Sequence, residues 1–203
     1  GESYSMRDIQ LDTAVRELAH HGWLGNGSLN GADLQEANLR DANLESAVLS
    51  QANLMHAKLS KANMVDVHLD SATLIDAKLD QASLQRADLS KAILLRANLN
   101  SALAGSINLS GACLAYATLD ECNLRDAKLI GANLQETVFT RANLRRADLT
   151  GVSNWTIRQL EQGADLSLTV MPNGVRLGHI LLNSSASQRS PTFEEWKTQY
   201  LAS

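Results

Sequence analysis

The strongest constraint in this sequence is an apolar residue at every fifth position through more than half of its length. From position 29 to position 149, steps of five give 25 positions, and 22 of them are Leu. The residue two places earlier is Ala in 20 of the 25 units. The repeating unit therefore reads Ala-polar-Leu-x-x, and its register never slips.

A period of five fits neither regular secondary structure. On an α-helix, five residues rotate the side chain by about 140°, so the Leu row would wind around the axis. In a flat strand, an odd step sends alternate Leu side chains to opposite faces. A short extended piece followed by a two-residue corner restores the same direction in every unit. The pattern therefore predicts a chain that coils around its own axis.

Composition and charge exclude several classes of protein. No stretch approaches the roughly 18 apolar residues that a membrane span needs, and the net charge of -4 gives no general attraction to nucleic acid or anionic lipid. Two cysteines, Cys113 and Cys122, are too few for a disulfide-linked secreted scaffold. We therefore expect a cytoplasmic protein, although the initial Gly1-Glu2-Ser3 is also typical of a sequence left after a tag is removed.

The sequence shows no arrangement of residues typical of catalysis. It has no phosphate-binding loop, nucleophile elbow, paired CxxC motif or His-x-x-Glu-His metal motif. We therefore predict that the protein is not an enzyme, and that it has no catalytic residue, cofactor or metal site.

The units Ala32-Asp33-Leu34, Ala37-Asn38-Leu39 and Ala147-Asp148-Leu149 resemble the pentapeptide-repeat family, whose unit is Ala-(Asp/Asn)-Leu-x-x. The resemblance covers residues 27–151. It implies an all-β solenoid, a right-handed quadrilateral β-helix with four pentapeptides per coil. Twenty-five units would then make about six coils. The resemblance also implies a bacterial protein.

The repeat divides the chain into three parts. We predict an N-terminal helical cap over residues 1–26, because residues 6–21 have apolar side chains at helical spacing. Trp23 would cover the first coil. The β-helix would occupy residues 27–151, and residues 152–203 would form a C-terminal capping segment.

The C-terminal segment contains two helix signals. Thr156 and Gln159 have the spacing of a capping box, and Gly163 can end that helix. Residues 166–170 read as a strand, and residues 183–191 as a flexible linker.

A second helix is predicted from Thr192 to Leu201, with Phe193, Trp196 and Tyr200 on one face. This aromatic face could pack within the chain or onto a second copy, which would make a homodimer.

One side of the predicted rod is apolar. Residues 20 apart stack on the same side of a four-unit coil, and stacking brings together a candidate partner surface: Met55, Ile75, Ile93, Leu95, Cys113, Ala115 and Tyr116. Such contiguous exposed patches commonly mark sites for protein partners. Two alternatives are that the C-terminal segment covers these residues, or that they only stabilise stacked strands.

A second irregularity is the sequence Leu103-Ala104-Gly105-Ser106-Ile107. Ala104 replaces the central Leu, and Ile107 replaces the Ala of the next unit. We expect a local distortion of the coil there.

These patterns favour a non-enzymatic scaffold or protein-interaction module whose partner is a protein of unknown identity. The alternative comes from the quinolone-resistance members of the family, which are understood to mimic DNA and to bind type II topoisomerases such as gyrase. That mechanism needs an acidic rod. Residues 27–151 carry 14 acidic and 12 basic residues, a net charge of -2, which is weak support for DNA mimicry.

Overall fold

The chain winds into stacked coils of four pentapeptides. The computed structural model describes residues 13–15, 17, 24–27, 29–162, 165–178 and 191–202. Through the repeat, parallel β-bridges join residues 20 apart, from Asp33 with Asn53 to Asn133 with Ser153. Each bridge is isolated, so the described residues form no longer strand. Every bridge therefore spans four units, which sets the size of one coil.

The interior of the coils is filled by the two positions that the sequence marks as apolar. All 25 central residues from Leu29 to Leu149 are buried, and so is every residue two places before them from Ala37 to Ala147. The inward direction predicted for both positions is therefore confirmed. Burying a Leu side chain contributes about 1.5–3 kcal/mol, while Ala leaves space for the backbone to turn.

Backbone hydrogen bonds satisfy four of the five N–H groups in a regular unit. The central residue and the last residue donate to the following coil, the second residue donates to the preceding coil, and the first closes the turn before it. In the unit that begins at Ala52 these bonds are Leu54 to Thr73 (2.7 Å), His56 to Ile75 (2.8 Å), Asn53 to Ala32 (2.9 Å) and Ala52 to Leu49 (3.0 Å). The coils therefore hold one another through their backbones.

The remaining N–H group belongs to the residue after the central Leu, and an Asp or Asn before that Leu can satisfy it. Asn53 Oδ1 accepts from the N–H of Met55 at 3.2 Å, and Asp88 Oδ1 accepts from the N–H of Ser90 at 2.9 Å. Asp and Asn are suited to this local bond because their short side chains reach the backbone two residues ahead. This bond is the physical reason for Asp or Asn before the central Leu.

Every corner of the coil places its last residue in the left-handed backbone region. At all 25 positions from Gly31 to Gly151, φ lies between 51° and 68°, and 21 of these residues are not Gly. The cost is about 1–2 kcal/mol for each residue that has a Cβ. No corner residue in this series is Val, Ile or Thr, although Val65, Ile75 and Ile130 occur one place earlier. β-Branched side chains are excluded because they tolerate positive φ least.

The expected distortion at Ala104 is wrong. The N–H of Ala104 donates to Asn123 O at 2.9 Å, and the N–H of Ser106 donates to Arg125 O at 2.8 Å, as in regular units. Ile107 is fully buried and replaces part of the volume that Ala104 lacks. Only the turn bond from Ile107 to Ala104 is long, at 3.3 Å. The backbone ladder thus tolerates an exchange of volume between neighbouring inward positions.

Coil pairing continues beyond Gly151, where the sequence register ends. Asp165 pairs with Asn143 and Val170 with Asp148, each pair two places further apart than in the repeat. The strand expected over 166–170 is wrong, because Leu168 lies at a corner with φ of 62° between these two bridges. The chain therefore resumes the pentapeptide geometry after an insertion.

The insertion contains helix α1, Ile157–Glu161, and its predicted capping box is confirmed. Gln159 Oε1 accepts from the N–H of Thr156 at 2.6 Å, and Thr156 Oγ1 accepts from the N–H of Gln159 at 3.3 Å. Gln159 Nε2 also donates to the carbonyl oxygens of Leu134 and Thr137, at 2.8 and 2.9 Å. One side chain thus begins the helix and binds it to the coil beneath.

Helix α2, Phe193–Ala202, packs its aromatic face within the chain. Trp196 is only 1% exposed, and its ring centroid lies 6.1 Å from that of Trp155 and 4.9 Å from that of Tyr200. Trp196 Nε1 donates to Asn173 Oδ1 at 3.0 Å, and Lys197 pairs with Glu161 of α1. Of the two arrangements that the sequence left open for this face, packing within the chain is the one present.

At the N-terminal end the structure describes only part of the predicted helix. Residues 13–15 and 17 are helical, and Val15 belongs to the buried core. A short 3-10 helix follows at Leu24–Asn26. The other residues of the expected helix over 6–21, Trp23, and most of the expected linker lie outside the described residues.

Replacing Leu79 by Asp should unfold or severely destabilise the protein. Leu79 is fully buried in the central column, and an unpaired carboxylate there costs more than about 4 kcal/mol. The matched control is Lys78→Ala, one residue away and exposed, which should be nearly neutral. Thermal unfolding followed by circular dichroism compares the two, and equal tolerance of both would contradict the inward assignment.

Replacing Gln81 by Val should destabilise the protein only by increasing the backbone strain at the corner. Gln81 has φ of 59° and is exposed, so the substitution changes backbone strain rather than packing. Gln81 already carries the cost of a Cβ at positive φ, so the expected loss is the further strain of the β-branch, about 1 kcal/mol, and a fall in Tm of roughly 2–4 °C. Ser110→Val, at the position that precedes a corner, should change Tm little. A Gln81→Val protein as stable as the control would contradict this account of the corners.

Candidate functional site

The candidate site is the apolar strip, defined as Met55, Ile75, Ile93, Leu95, Cys113, Ala115 and Tyr116. The structure brings these residues to one side of the coils. Parallel bridges link Thr73 to Ile93 and Ile93 to Cys113, so the strip follows consecutive coils along the rod. We call this side the strip face.

Members of the apolar strip differ in how much surface they present. Ile93 is 41% exposed and Tyr116 is 48% exposed, whereas Met55, Ile75, Leu95 and Cys113 are half-buried. Ala115 is only 4% exposed, so it closes the surface without offering much contact area. Tyr116 lies at a corner, and its hydroxyl accepts from Gln135 Nε2 at 2.9 Å.

Within the described residues, the C-terminal segment does not cover the exposed part of the strip. Helix α2 packs its aromatic face on Trp155, and Ile93 keeps its exposure. This leaves the partner site and the simple stacking of apolar side chains as interpretations of the strip.

The strip also contains backbone donors that an Asp or Asn would satisfy. The N–H groups of Ile75, Leu95 and Ala115 have no hydrogen-bond partner in the described part of the chain. Their units have Thr73, Ile93 and Cys113 in place of Asp or Asn. In the flanking coils of the same face, Asn53 binds the N–H of Met55 at 3.2 Å, and Asn133 binds that of Gln135 at 3.1 Å. The absence of Asp and Asn at three successive coils is the sequence signal for this feature, which the sequence analysis missed.

Four of the seven acidic corner residues are paired with arginines one coil away. Asp66 with Arg86, Asp76 with Arg96 and Asp126 with Arg146 each make two hydrogen bonds of 2.5–2.7 Å. The arginine hydrogen bonds lower the pKa of each of these three carboxyl groups. The acidic residues of the rod therefore do not form a continuous row of unpaired negative charges.

A groove of about 600 Å³ lies on the next face, away from the strip. Lys61 and Lys78 form part of its walls, and Ser60 Oγ donates to Asp80 Oδ1 at 2.7 Å. Cations and carboxylates are mixed in its lining, which favours no single class of ligand. The repeat pattern does not reveal this groove, because short side chains such as Ser60 lie between longer ones such as Lys61 and Lys78 on stacked coils.

The cysteines do not form a reactive centre. Cys122 is buried, and burial raises the pKa of its thiol to about 12, so the thiolate is disfavoured. Cys113 is half-buried, and both cysteines are free. In the described parts of the chain, no group of three or more His, Cys, Asp or Glu residues could hold a metal ion. None of the described helices has the length and apolar character needed to span a membrane.

A protein-family model described as "Pentapeptide repeats" matches the chain in eight copies, over residues 32–70, 68–103, 106–141 and 117–153. These ranges cover more than half of the chain. No curated protein matches it.

Among solved structures, the chain is similar to HetL, a pentapeptide repeat protein involved in heterocyst differentiation regulation from the cyanobacterium Nostoc sp. strain PCC 7120. The identity is 26%, the match covers 72% of this chain and 86% of HetL, and the TM-score is 0.26. A pentapeptide repeat protein from the cyanobacterium Cyanothece 51142 is 39% identical over 46% of this chain and 56% of its own, with a TM-score of 0.23. QnrB1, a plasmid-mediated fluoroquinolone resistance protein, is 19% identical over 68% of this chain and 84% of its own, with a TM-score of 0.37.

Proposed function

The chain belongs to the pentapeptide-repeat family, and we propose that it is a non-enzymatic scaffold that binds a protein partner through the apolar strip. Proteins of this family fold as right-handed quadrilateral β-helices and are generally structural or interaction modules. The observation that carries the proposal is the contiguous apolar surface around Ile93, whereas the exposed Leu103 and Ile130 lie singly on other sides of the rod.

The proposal includes the division of the chain. Residues 27–151 form a β-helix of about six coils, residues 1–26 cap its first coil, and residues 152–203 cap its last. Support comes from Val15, Leu160 and Trp196, which all join the continuous buried core. Capping is needed because the terminal coils of a solenoid otherwise expose apolar side chains and unpaired backbone groups.

Binding through an apolar strip is better supported than mimicry of DNA. A mimic must present unpaired negative charge in place of phosphates. In this rod Asp66, Asp76 and Asp126 are neutralised by arginines, and the strip face is apolar at its centre. A homodimer through the C-terminal segment is a further alternative, for which Leu201, 66% exposed, is the available surface.

Replacing Ile75 and Leu95 together by Glu should abolish capture of the partner but leave Tm nearly unchanged. Both side chains are half-buried on the surface, where substitutions usually change stability by less than about 0.5 kcal/mol. The measurement is a pull-down from a lysate of the native organism, quantified by mass spectrometry, with Tm measured in parallel.

Leu103→Glu is the matched control. Leu103 is 46% exposed, comparable to Ile93, but it lies two units further along the coil, on the opposite side of the rod. This variant should retain the partner. If both variants retain the partner equally, the partner does not bind through the strip. A large loss of Tm in the double variant would show that the strip is covered within the chain.

DNA supercoiling by gyrase should be unaffected by the protein. The physical reason is the near balance of 14 acidic and 12 basic residues over 27–151, together with the pairing of Asp66, Asp76 and Asp126 with arginines. Supercoiling is assayed with the protein added at low micromolar concentration, with an equal amount of the Leu103→Glu variant as a second sample. Strong inhibition in this range would favour the topoisomerase-binding alternative over the scaffold.

A further inference from the structure

We infer that the occupant of the apolar strip is an extended segment of a partner protein, about seven residues long, with apolar side chains at its centre and a basic side chain at each end. This inference rests on the proposed function and adds the chemistry of the partner. It follows from the charges at the two ends of the strip face and from the backbone donors in its middle.

The strip face has carboxylates at both ends. Asp33 and Glu36 are exposed one coil before Met55, and Glu136 is exposed one coil beyond Tyr116. Glu36 and Glu136 have no ion-pair partner within the described residues. A partner segment that spans the strip therefore meets negative charge at each end, where basic side chains are favoured.

Charges beside the middle of the strip leave its apolar character unchanged. Asp76 is bonded to Arg96, and His56 Nδ1 lies 3.8 Å from the same carboxylate. Lys91 stands at the opposite corner of the face, and its Cγ would lie 3.6 Å from a Cβ added at Gly111. The centre of the strip therefore offers apolar contacts, with Lys91 at one edge and the Arg96–Asp76 ion pair at the other.

The backbone donors favour an extended partner over a helical one. Ile75 and Leu95 each present an N–H without a partner in the described part of the chain, and their side chains form the middle of the strip. An extended segment has free carbonyl groups along its length, whereas a helix uses its carbonyls internally. An extended segment that runs along the rod can therefore bond to at least one of these donors, whereas a docked helix would leave both unpaired.

The length follows from the spacing of the coils. Five coil steps separate Asp33 from Asn133 along the column of bridges, and Glu36 and Glu136 lie at the corners of the same first and last coils. Each step is about 4.8 Å, so the carboxylates of Glu36 and Glu136 are roughly 24 Å apart. An extended chain rises about 3.3 Å per residue, so about seven residues span this distance.

A second copy of the chain fits this face poorly. In an antiparallel pair of rods with their strip faces together, Glu36 of each copy would face Glu136 of the other. Like charges in such positions disfavour association. The protein should therefore sediment without forming a dimer through the strip.

The test uses the full chain and synthetic fluorescein-labelled peptides, with binding measured by fluorescence anisotropy at low salt. The first peptide is Lys-Leu-Thr-Leu-Thr-Leu-Lys. The second has Glu in place of both Lys residues. The third contains the same residues as the first, but its two Lys residues are in the middle of the sequence. We expect the first peptide to bind about tenfold more tightly than either of the others, since two exposed charge contacts are each worth up to about 1 kcal/mol.

Two neutral variants locate the contacts. Glu36→Gln with Glu136→Gln should remove most of the preference for the Lys-ended peptide, whereas the control Asp41→Asn with Glu45→Gln, away from the strip face, should retain it. Ile75→Gln with Leu95→Gln should lose binding of the Lys-ended peptide without adding a charge. Circular dichroism and Tm confirm that each variant is folded.

Four results would overturn the inference. They are equal binding of the Lys-ended and Glu-ended peptides, undiminished binding to the Ile75→Gln and Leu95→Gln protein, tighter binding of a stapled helical peptide with the same residues, and a dimer in sedimentation that Ile93→Glu dissociates. If the peptides bind equally while the Glu variant of the strip still loses its cellular partner, the proposed function stands and only the partner chemistry fails.

Discussion

The rest of the structure depends on backbone pairing between stacked coils, in which equivalent residues four units apart lie side by side. This pairing requires the chain to turn a corner after every short extended piece, and each corner is made by a residue with positive φ. Each of the 21 non-Gly corners carries a strain of about 1–2 kcal/mol. The compensation is equally repetitive, because each unit buries a central residue and satisfies its backbone groups.

The same constraint separates the five positions of the unit by physical role. The two inward positions are fixed by volume, the position before Leu by its bond to a backbone N–H, and the corner by its tolerance of positive φ. Only the position after Leu carries little local requirement, which is why Met55, Ile75 and Leu95 can stand where other units have Gln, Ser or Asn. A functional surface on such a rod is therefore expected first at the position after Leu. It is expected next at the position before Leu, in units where another residue replaces Asp or Asn.

The sequence was sufficient for the coil and insufficient for its ends. An unbroken period of five determines which side chains point inward, and the structure agrees at every central position. The expectation failed at Ala104, because side-chain volume was taken to control the backbone when the hydrogen-bond ladder controls it. It also failed over 166–170, because the insertion of α1 lengthens the pairing interval by two places, and a pattern read at fixed spacing cannot follow such a shift.

The sequence predicts which side chains of the candidate site lie together, but it does not predict which backbone groups there lack a hydrogen bond. Stacking by whole coils places Ile93 and Cys113 together from the sequence alone, since both lie in one column of bridges. The same arithmetic could not show that Ala115 is buried, because that depends on its neighbours rather than on its position in the unit. The unpaired N–H groups of Ile75 and Leu95 become recognisable only from the bonds that Asp and Asn make in other units. The N–H groups of Asp80 and Gln85, whose units have Lys78 and Ser83 at the same place, also lack a partner among the described residues, so such donors arise on any side of the rod where Asp or Asn is replaced. What sets the strip apart is therefore the apolar character of the side chains beside these donors, which only the stacking of Ile75, Ile93 and Leu95 on successive coils provides.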